Sequence, residues 1–516
     1  MLRHLAAFAA ALALAAAAQA KPLRIASQND PGTMDPHAIA TLYNNRVVGQ
    51  VYEPLVDRDE QFRIAPRLAL SWTPLDNGGG WRFKLRPKVR FHDGSPFTAD
   101  DVVFTVRRAL DPLSAQKSTL PEVTGARKVD DLTVEILTAK PTPVLPRTLT
   151  NLRIMSRAWA VKHKVERPQD FKAKEETYAA RNANGTGPFR LVAWEPDVRT
   201  VLAANPDYWG ERRNVTEVHF LVVGSAATRV AGLVSGEIDL LLDPAVQDVV
   251  RLRSAPDIVV REEPALGTNF IGFHHQRDEI GAGARGNPFK DVRVRRAMRM
   301  AIDLEALRTK VLRGSATVAR SIYSQAVEGF DPRFATPWKV DLAGAKKLLA
   351  EAGYAHGFAT ELDCSVQQPT DAVCQAVAGM LSRIGVRVTH RPLQFNVLVP
   401  RVVAGESNLY VIGWTGFTGE IEGVLQPLAR SRAAGLGEYN VGRYSNPKVD
   451  ALIDRGRVEF DEKKRAAIFT EAMVLLDEDA AFIPLYARKI AWAMRKSVEV
   501  KPRPNDNIDL RFASIR

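Results

Sequence analysis

A chain of 516 residues, 46% hydrophobic and 25% charged, has ordinary globular composition and enough length for roughly two to four domains. Beyond the N-terminus no apolar run is long enough to span a bilayer, which excludes a helical membrane bundle. The net charge of +12 is spread along the chain rather than gathered into a basic tract, so neither nucleic acid nor an anionic membrane is expected as a partner.

The first twenty residues, "MLRHLAAFAAALALAAAAQA", place Arg3 before an Ala/Leu run that ends on Ala18-Gln19-Ala20. This is the layout of a secretory signal cleaved after Ala20. No cysteine follows the cleavage site, which argues against a lipid anchor, and the mature chain is expected to be soluble outside the cytoplasm. "LRIASQND" (23–30) reads as an opening strand and "GTMDPHA" (32–38) as a loop. "NNRVVGQVYEPLV" carries a helix that ends before Pro54. "LALSWTPLDNGGGWRFKLRPKVRF" reads as two strands around a glycine-rich turn, and "TADDVVFTVRRAL" as a helix opened by Thr98 and Asp101 at capping-box spacing. Strands at "LTVEILTA", "VRTVLAAN" and "EVHFLVV" follow, then a helix and a short strand in "AATRVAGLVSGEIDLL". "VRVRRAMRM" (292–300) has Val294, Met298, Ala301 and Ile302 at helical spacing, so its arginines read as a solvated helix face. "VDLAGAKKLLAEAG" and "DAVCQAVAGMLSRIG" are helices that stop on glycine. "GWTGFTGEIEG" (413–423) is too glycine-rich for a helix interior and too polar for a buried strand, and reads as a loop. The alternation of elements argues α/β lobes.

Catalytic signatures are missing: there is no G-x-S-x-G elbow, H-E-x-x-H or G-x-x-x-x-G-K-[ST]. "GAGARG" (281–286) has the form of a dinucleotide loop, but Asn287-Pro288 delays the next helix to about Asp291, so it reads as a surface loop. His274-His275 would point to opposite faces of a strand and is not expected to share a metal ion. No cofactor is expected. Cys364, at the end of the "ATELDC" strand, and Cys374, in the first turns of the next helix, are expected to pair in an oxidising compartment. The closed loop should contribute roughly 2–3 kcal/mol. An exported α/β chain without a catalytic set suits a receptor that closes on a small solute.

The stretch "WRFKLRPKVRFHDGSPFTADDVVFTVRRALDP" (81–112) resembles the signature of the family 5 extracellular solute-binding proteins, the dipeptide and oligopeptide receptors of ABC importers. "VYEPLVDRD", "GTGPFRLVAW", "NPDYWG", "SGEIDLL", "NPFKDVRVRRAMRMAID", "AKKLLAEAGY", "GRYSNPKVDALID" and "AAFIPLY" extend the resemblance over nearly the whole mature chain. It implies the type II periplasmic-binding fold, two α/β lobes around a ligand cleft, in three domains. Domain I would be 21–49 with 185–272 and 491–516, domain II 50–184, and domain III, the second lobe, 273–490. It also implies a monomeric periplasmic receptor that hands a peptide or peptide-like solute to a membrane permease with its ATPase. An opine, a glycoside, a metal chelate or a conjugate without a free amine are the alternative ligands, and a sensory receptor or exported hydrolase the alternative classes. By the resemblance, 413–423 lines the cleft. Phe417 stands where peptide-binding relatives carry an amine-gripping aspartate, and "PTDAVC" lacks the arginine that grips dipeptide carboxylates. Phe417 and Trp414 are therefore expected to form an apolar wall, with Thr415, Gly416 and backbone groups giving polar contacts. Tyr43, Asn44, Asn269 and Phe270 would face them. Glu420 is either an inward counter-charge for a ligand amine or, as favoured, a solvated loop acid.

Overall fold

Residues 22–516, apart from 77, 282, 283, 319, 417 and 434, are described in a computed structural model of the chain. The signal segment with its cleavage after Ala20, and Phe417, lie outside the described residues. No helix among them is long and apolar enough to cross a membrane.

Two long strands organise the molecule. Ile258–Phe273 and Phe482–Arg495 pair antiparallel along their lengths within an 11-stranded sheet. At one end, Val259 and Val260 lie opposite Met494 and Ala493, where Leu23–Ser27 runs parallel to Glu217–Val222 and Leu240–Leu241. At the other end, Ile271 and Gly272 lie opposite Ile483 and Phe482, and Leu409–Thr415 pairs with 267–273 and runs parallel to Phe358–Ser365. The ends belong to separate cores. One gathers Ile25, Val48, Phe189, Leu202, Trp492 and Met494. The other gathers Ile271, Val294, Met298, Leu362, Val377 and Ile483. Between them the register shifts from Pro264↔Lys489 to Thr268↔Ala487. Pro264 has no N–H for the ladder, so the irregularity falls where pairing is weakest. Two bodies joined by crossing strands with a bulge between them have the anatomy of a hinge.

A separate antiparallel sheet, in the order Ala69–Pro74, Gly80–Leu85, Thr133–Thr138, Val123–Asp130, packs on the helix Ala99–Ala109. Alternation along Gly80–Leu85 sends Trp81, Phe83 and Leu85 into that core. The helix begins as its spacing requires: the Thr98 N–H donates to Asp101 Oδ2 at 2.9 Å. Cys364 and Cys374 are joined by a disulfide.

Two sequence expectations are corrected. Apart from Arg293, which is exposed beside Asp291, the arginines of Val292–Ala301 do not form a solvated face. Arg295 is only 5% exposed, and its Nη1 donates to the Phe289 carbonyl at 2.7 Å and its Nη2 to the Asp479 carbonyl at 2.6 Å. Arg296 Nε reaches the Glu478 carbonyl at 2.8 Å and Arg299 Nη1 that of Asp477 at 2.6 Å. The helix crosses the C-terminal end of Glu462–Glu478, where carbonyls have no intrahelical partner and guanidinium groups fill the need. Nor is 413–423 all loop. Gly413, Trp414 and Thr415 end a strand opposite Asn269, Thr268 and Gly267, and Glu422 opens the helix Glu422–Ala429. Glycine is tolerated there because the strand approaches closely: a Cβ on Gly413 would sit 3.0 Å from Asn269 Oδ1.

Candidate functional site

The strand end at 413–415 adjoins the hinge, so side chains there lie where the two bodies meet. Trp414 is half-buried; its indole N–H donates to the Gly423 carbonyl at 2.8 Å and its ring lies 4.8 Å from that of Tyr439. Thr415 is half-buried against Gly267, and Gly416 is buried against Val424. Asn269 is half-buried beside Gly413, its partner on the adjacent strand, while across the hinge Tyr43 is half-buried with the Arg46 guanidinium 5.5 Å from its ring.

Three expected site residues are placed elsewhere. Asn44 is fully buried and donates to the carbonyls of Pro31 (3.2 Å) and Thr33 (2.6 Å), because its face of the helix Leu42–Val51 packs inward on the 31–33 loop. Phe270 is 1% exposed and meets Phe482 edge-on at 5.3 Å. Neighbours on a strand face opposite ways, so with Asn269 at the surface Phe270 turns into the core. Glu420 is not a solvated acid. It is buried, and its Oε1 accepts from Arg147 Nε at 2.9 Å and from Arg465 Nη2 at 2.8 Å. Arg147 also pairs with Glu328 and Glu462, both at 2.9 Å. Two guanidinium groups share its Oε1, so a ligand ammonium would have to compete with both, although Oε2 is buried without a hydrogen-bond partner among the described residues.

Glu422 differs. Burial raises its carboxyl to about 7, Arg457 opposes the rise, and Glu420 adds to it. The native state thus holds this proton more tightly than the unfolded chain. The contribution is complete below the ordinary carboxyl value and disappears as pH rises through about 7. Glu422→Gln should therefore gain stability over the parent at pH 8 relative to pH 5, by about 2 kcal/mol, in urea unfolding at the two pH values.

The residues that sequence reasoning missed surround a cavity of about 30 Å3 where 49–67 and 150–153 meet the C-terminal segment. Five arginines (58, 67, 153, 503, 511) and three acids (Glu53, Asp57, Asp509) line it. The acids are engaged. Glu53 accepts from Thr186 at 2.8 Å and from Tyr208 and Trp209 at 2.9 Å, and pairs with Arg67. Asp57 accepts from the Arg58 N–H at 2.9 Å and Arg511 Nη2 at 2.7 Å, and Asp509 from Arg511 Nε at 2.8 Å and Arg503 Nη1 at 3.2 Å. Burial alone would raise the Asp509 carboxyl; Arg511 and Arg503 outweigh it and hold the group below its ordinary value. The one sequence signal was an arginine set in the apolar run "NLRIM". The cavity adjoins the strand end, since Arg58 also donates through Nη2 to the Thr418 carbonyl.

His274 and His275 lie just past the end of the strand Ile258–Phe273, not on it as the sequence reading had them, and have separate partners: His274 Nδ1 accepts from the Arg277 N–H at 3.1 Å, and His275 Nε2 meets the Ala481 carbonyl at 3.1 Å. His390 lies with the two cysteine sulfurs inside 4.8 Å, but those sulfurs are joined to each other.

Residues 63–435 match the family model of bacterial extracellular solute-binding proteins, family 5, middle portion. The chain belongs to this family. Heme-binding protein A of Haemophilus influenzae is 29% identical over 465 residues, 84% of this chain and 81% of that protein. Di/tripeptide-binding protein 4 of Pseudomonas aeruginosa is 29% identical over 541 residues, covering 98% of each chain. The solved structure of HbpA2 from Haemophilus parasuis, 26% identical, covers 96% of this chain and 100% of its own, with a TM-score of 0.84. The murein tripeptide-binding protein MppA in its unliganded open form, 23% identical, shares the fold with a TM-score of 0.82 over 96% of this chain. Family 5 relatives are solute-binding components of transport systems, which places the two-lobed α/β fold in that setting.

Proposed function

We propose that this chain is the periplasmic receptor of an ABC importer, capturing a peptide or peptide-like solute between its lobes and presenting the closed form to a permease and its ATPase. Lobe 1 comprises 21–49, 185–272 and 491–516, 50–184 forms an additional domain II, and lobe 2 comprises 273–490. The segment 1–20 directs export and is removed after Ala20, and the receptor acts as a monomer without catalysis. The observation that carries the reading is the pair of crossing strands, whose ends sit in different cores and whose register breaks at 264–268. Relatives named for di- and tripeptides support the ligand class. Trp414, Thr415 and Phe417, with backbone groups of Gly413 and Gly416, form one wall of the cleft, with Asn269 beside Gly413 in that wall and Tyr43 facing it. The hold of Arg147 and Arg465 on Glu420 supports a solute end without a free amine at this wall.

A tripeptide that raises the melting temperature by mass action should also shrink the small-angle scattering radius. Binding with an unchanged radius sinks hinge closure. Failure of a broad di- and tripeptide panel, with a non-peptide mass retained in native mass spectrometry, removes the peptide reading and keeps the receptor.

A further inference from the structure

The cavity between 49–67, 150–153 and the C-terminal segment has more cation than its own acids can neutralise. Its three carboxylates are each engaged by protein donors, as described above, and among the described residues none forms an ion pair with Arg153, although Asp57 and Asp509 attract it from nearby. Three guanidinium donors at this one cavity, Nε of Arg67, Arg153 and Arg503, are buried without a hydrogen-bond partner among the described residues. A buried cation left unpaired is costly, and a planar guanidinium matches a carboxylate in both charge and fork geometry. The space is small. About 30 Å3 holds a couple of waters or one carboxylate head, and leaves no room for a whole solute.

Backbone features hold Arg153 in place. Its guanidinium lies on Gly49 of the helix Leu42–Val51, where a Cβ would come within 3.2 Å of Nη2. Its own carbonyl meets His37 Nε2 at 2.8 Å. The cavity lining is also linked to the cleft wall by hydrogen bonds. Arg58 is shared between the cavity and the Thr418 carbonyl, and Thr150 in the cavity lining donates to the carbonyl of Arg147, whose side chain holds Glu420. A solute lying along 413–418 would have one end at the cavity.

We propose that this cavity is a carboxylate-binding subsite in which Arg153, helped by the Nε–H groups of Arg67 and Arg503, receives the carboxylate of the captured solute. The proposal rests on the receptor reading above and adds which end of the solute is anchored, and where. It gives the carboxylate a different anchor from the 370–374 region, where this chain has no arginine.

The test pairs peptides ending in a carboxylate with the same peptides ending in a carboxamide, by calorimetry on the full mature chain. Wild type, Arg153→Met and Arg153→Lys are compared after circular dichroism has established that each is folded. Amidation should weaken binding to wild type at least tenfold. Arg153→Met should bind acid and amide alike, at the amide's level, and Arg153→Lys should fall between. Acid and amide binding wild type equally, or a preference that survives Arg153→Met, overturns the subsite and leaves the receptor reading intact. Stabilisation by inorganic phosphate or chloride, with no acid–amide preference among bound peptides, marks a free-anion site and likewise overturns it. If no peptide binds, the peptide reading has failed by itself, and melting temperatures in acetate against acetamide at equal ionic strength decide the subsite. Arg153-dependent stabilisation by acetate alone upholds it, and none overturns it.

Discussion

Replacing Asp35 by asparagine should lower the free energy of unfolding by about 3–5 kcal/mol, the cost of stranding one partner of a buried ion pair. Asp35 and Arg108 are both fully buried, with Nη1 to Oδ1 at 2.8 Å and Nη2 to Oδ2 at 2.6 Å. Asp35 also accepts from the backbone N–H groups of His37 and Gln169, both at 3.0 Å, so one carboxylate ties the N-terminal loop to the helix Ala99–Ala109 and to 165–169. Arg108→Met should cost a similar amount, and the double variant less than the sum, because neither charge is then stranded. Urea unfolding of the four proteins measures this; a loss under 1 kcal/mol for Asp35→Asn would show that the pair is relaxed by water.

The same cluster sets a pH dependence. Arg108 donates to His37 Nδ1 at 2.9 Å, and an arginine is always a donor, so His37 is neutral with its proton on Nε2, facing the Arg153 carbonyl. Burial, with Arg108 close by, lowers the imidazole to about 4. The unfolded chain therefore binds this proton first. Stability is complete above the ordinary histidine value and falls as pH drops from there through about 4, by roughly 3 kcal/mol. Burial alone would raise Asp35, but Arg108 overrides it and holds the carboxyl low, so its contribution is lost only at still lower pH.

What was legible in the sequence was local. Thr98 with Asp101, Gly353 and Gly385 after their helices, and alternation through Trp81 and Phe83 depend on neighbours a few residues away, and the structure places them as read. Pairings across long separations were not legible. Arg295 and Arg299 looked like solvent-facing charges because the carbonyls they satisfy lie near residues 477–480. Phe270 looked available because nothing local says which face of a crossing strand meets a core. Arg153 gave only a weak signal, a charge within an apolar run, and its meaning comes from C-terminal residues that close the cavity. The reading of Glu420 failed for the same reason, since Arg147 and Arg465 are distant in the chain.

Glu420→Gln should destabilise the protein by about 3–5 kcal/mol and should weaken free-amine and N-acetylated peptides to the same extent. The substitution keeps the shape and removes the charge between Arg147 and Arg465, which are both nearly buried. Glu328 and Glu462 still face Arg147, but both are substantially exposed, and water screens much of what they could supply. Among the described residues the hydrogen bond left to Arg465 is that to the Glu459 carbonyl, at 3.1 Å, with Glu422 and Glu462 nearby as charges. Adding Arg147→Met to Glu420→Gln should recover part of the loss, because one stranded cation is removed. The ligand readout separates a structural clamp from an amine anchor. A clamp binds no solute charge, so its loss lowers affinity through the shape of the 413–422 segment, whatever the peptide's N-terminus. If Glu420→Gln abolished binding of free-amine peptides while N-acetylated ones kept their affinity, the carboxylate would be exchanging arginine for ligand ammonium on closure. The apolar-wall reading of Trp414 and Phe417 would then have to give way.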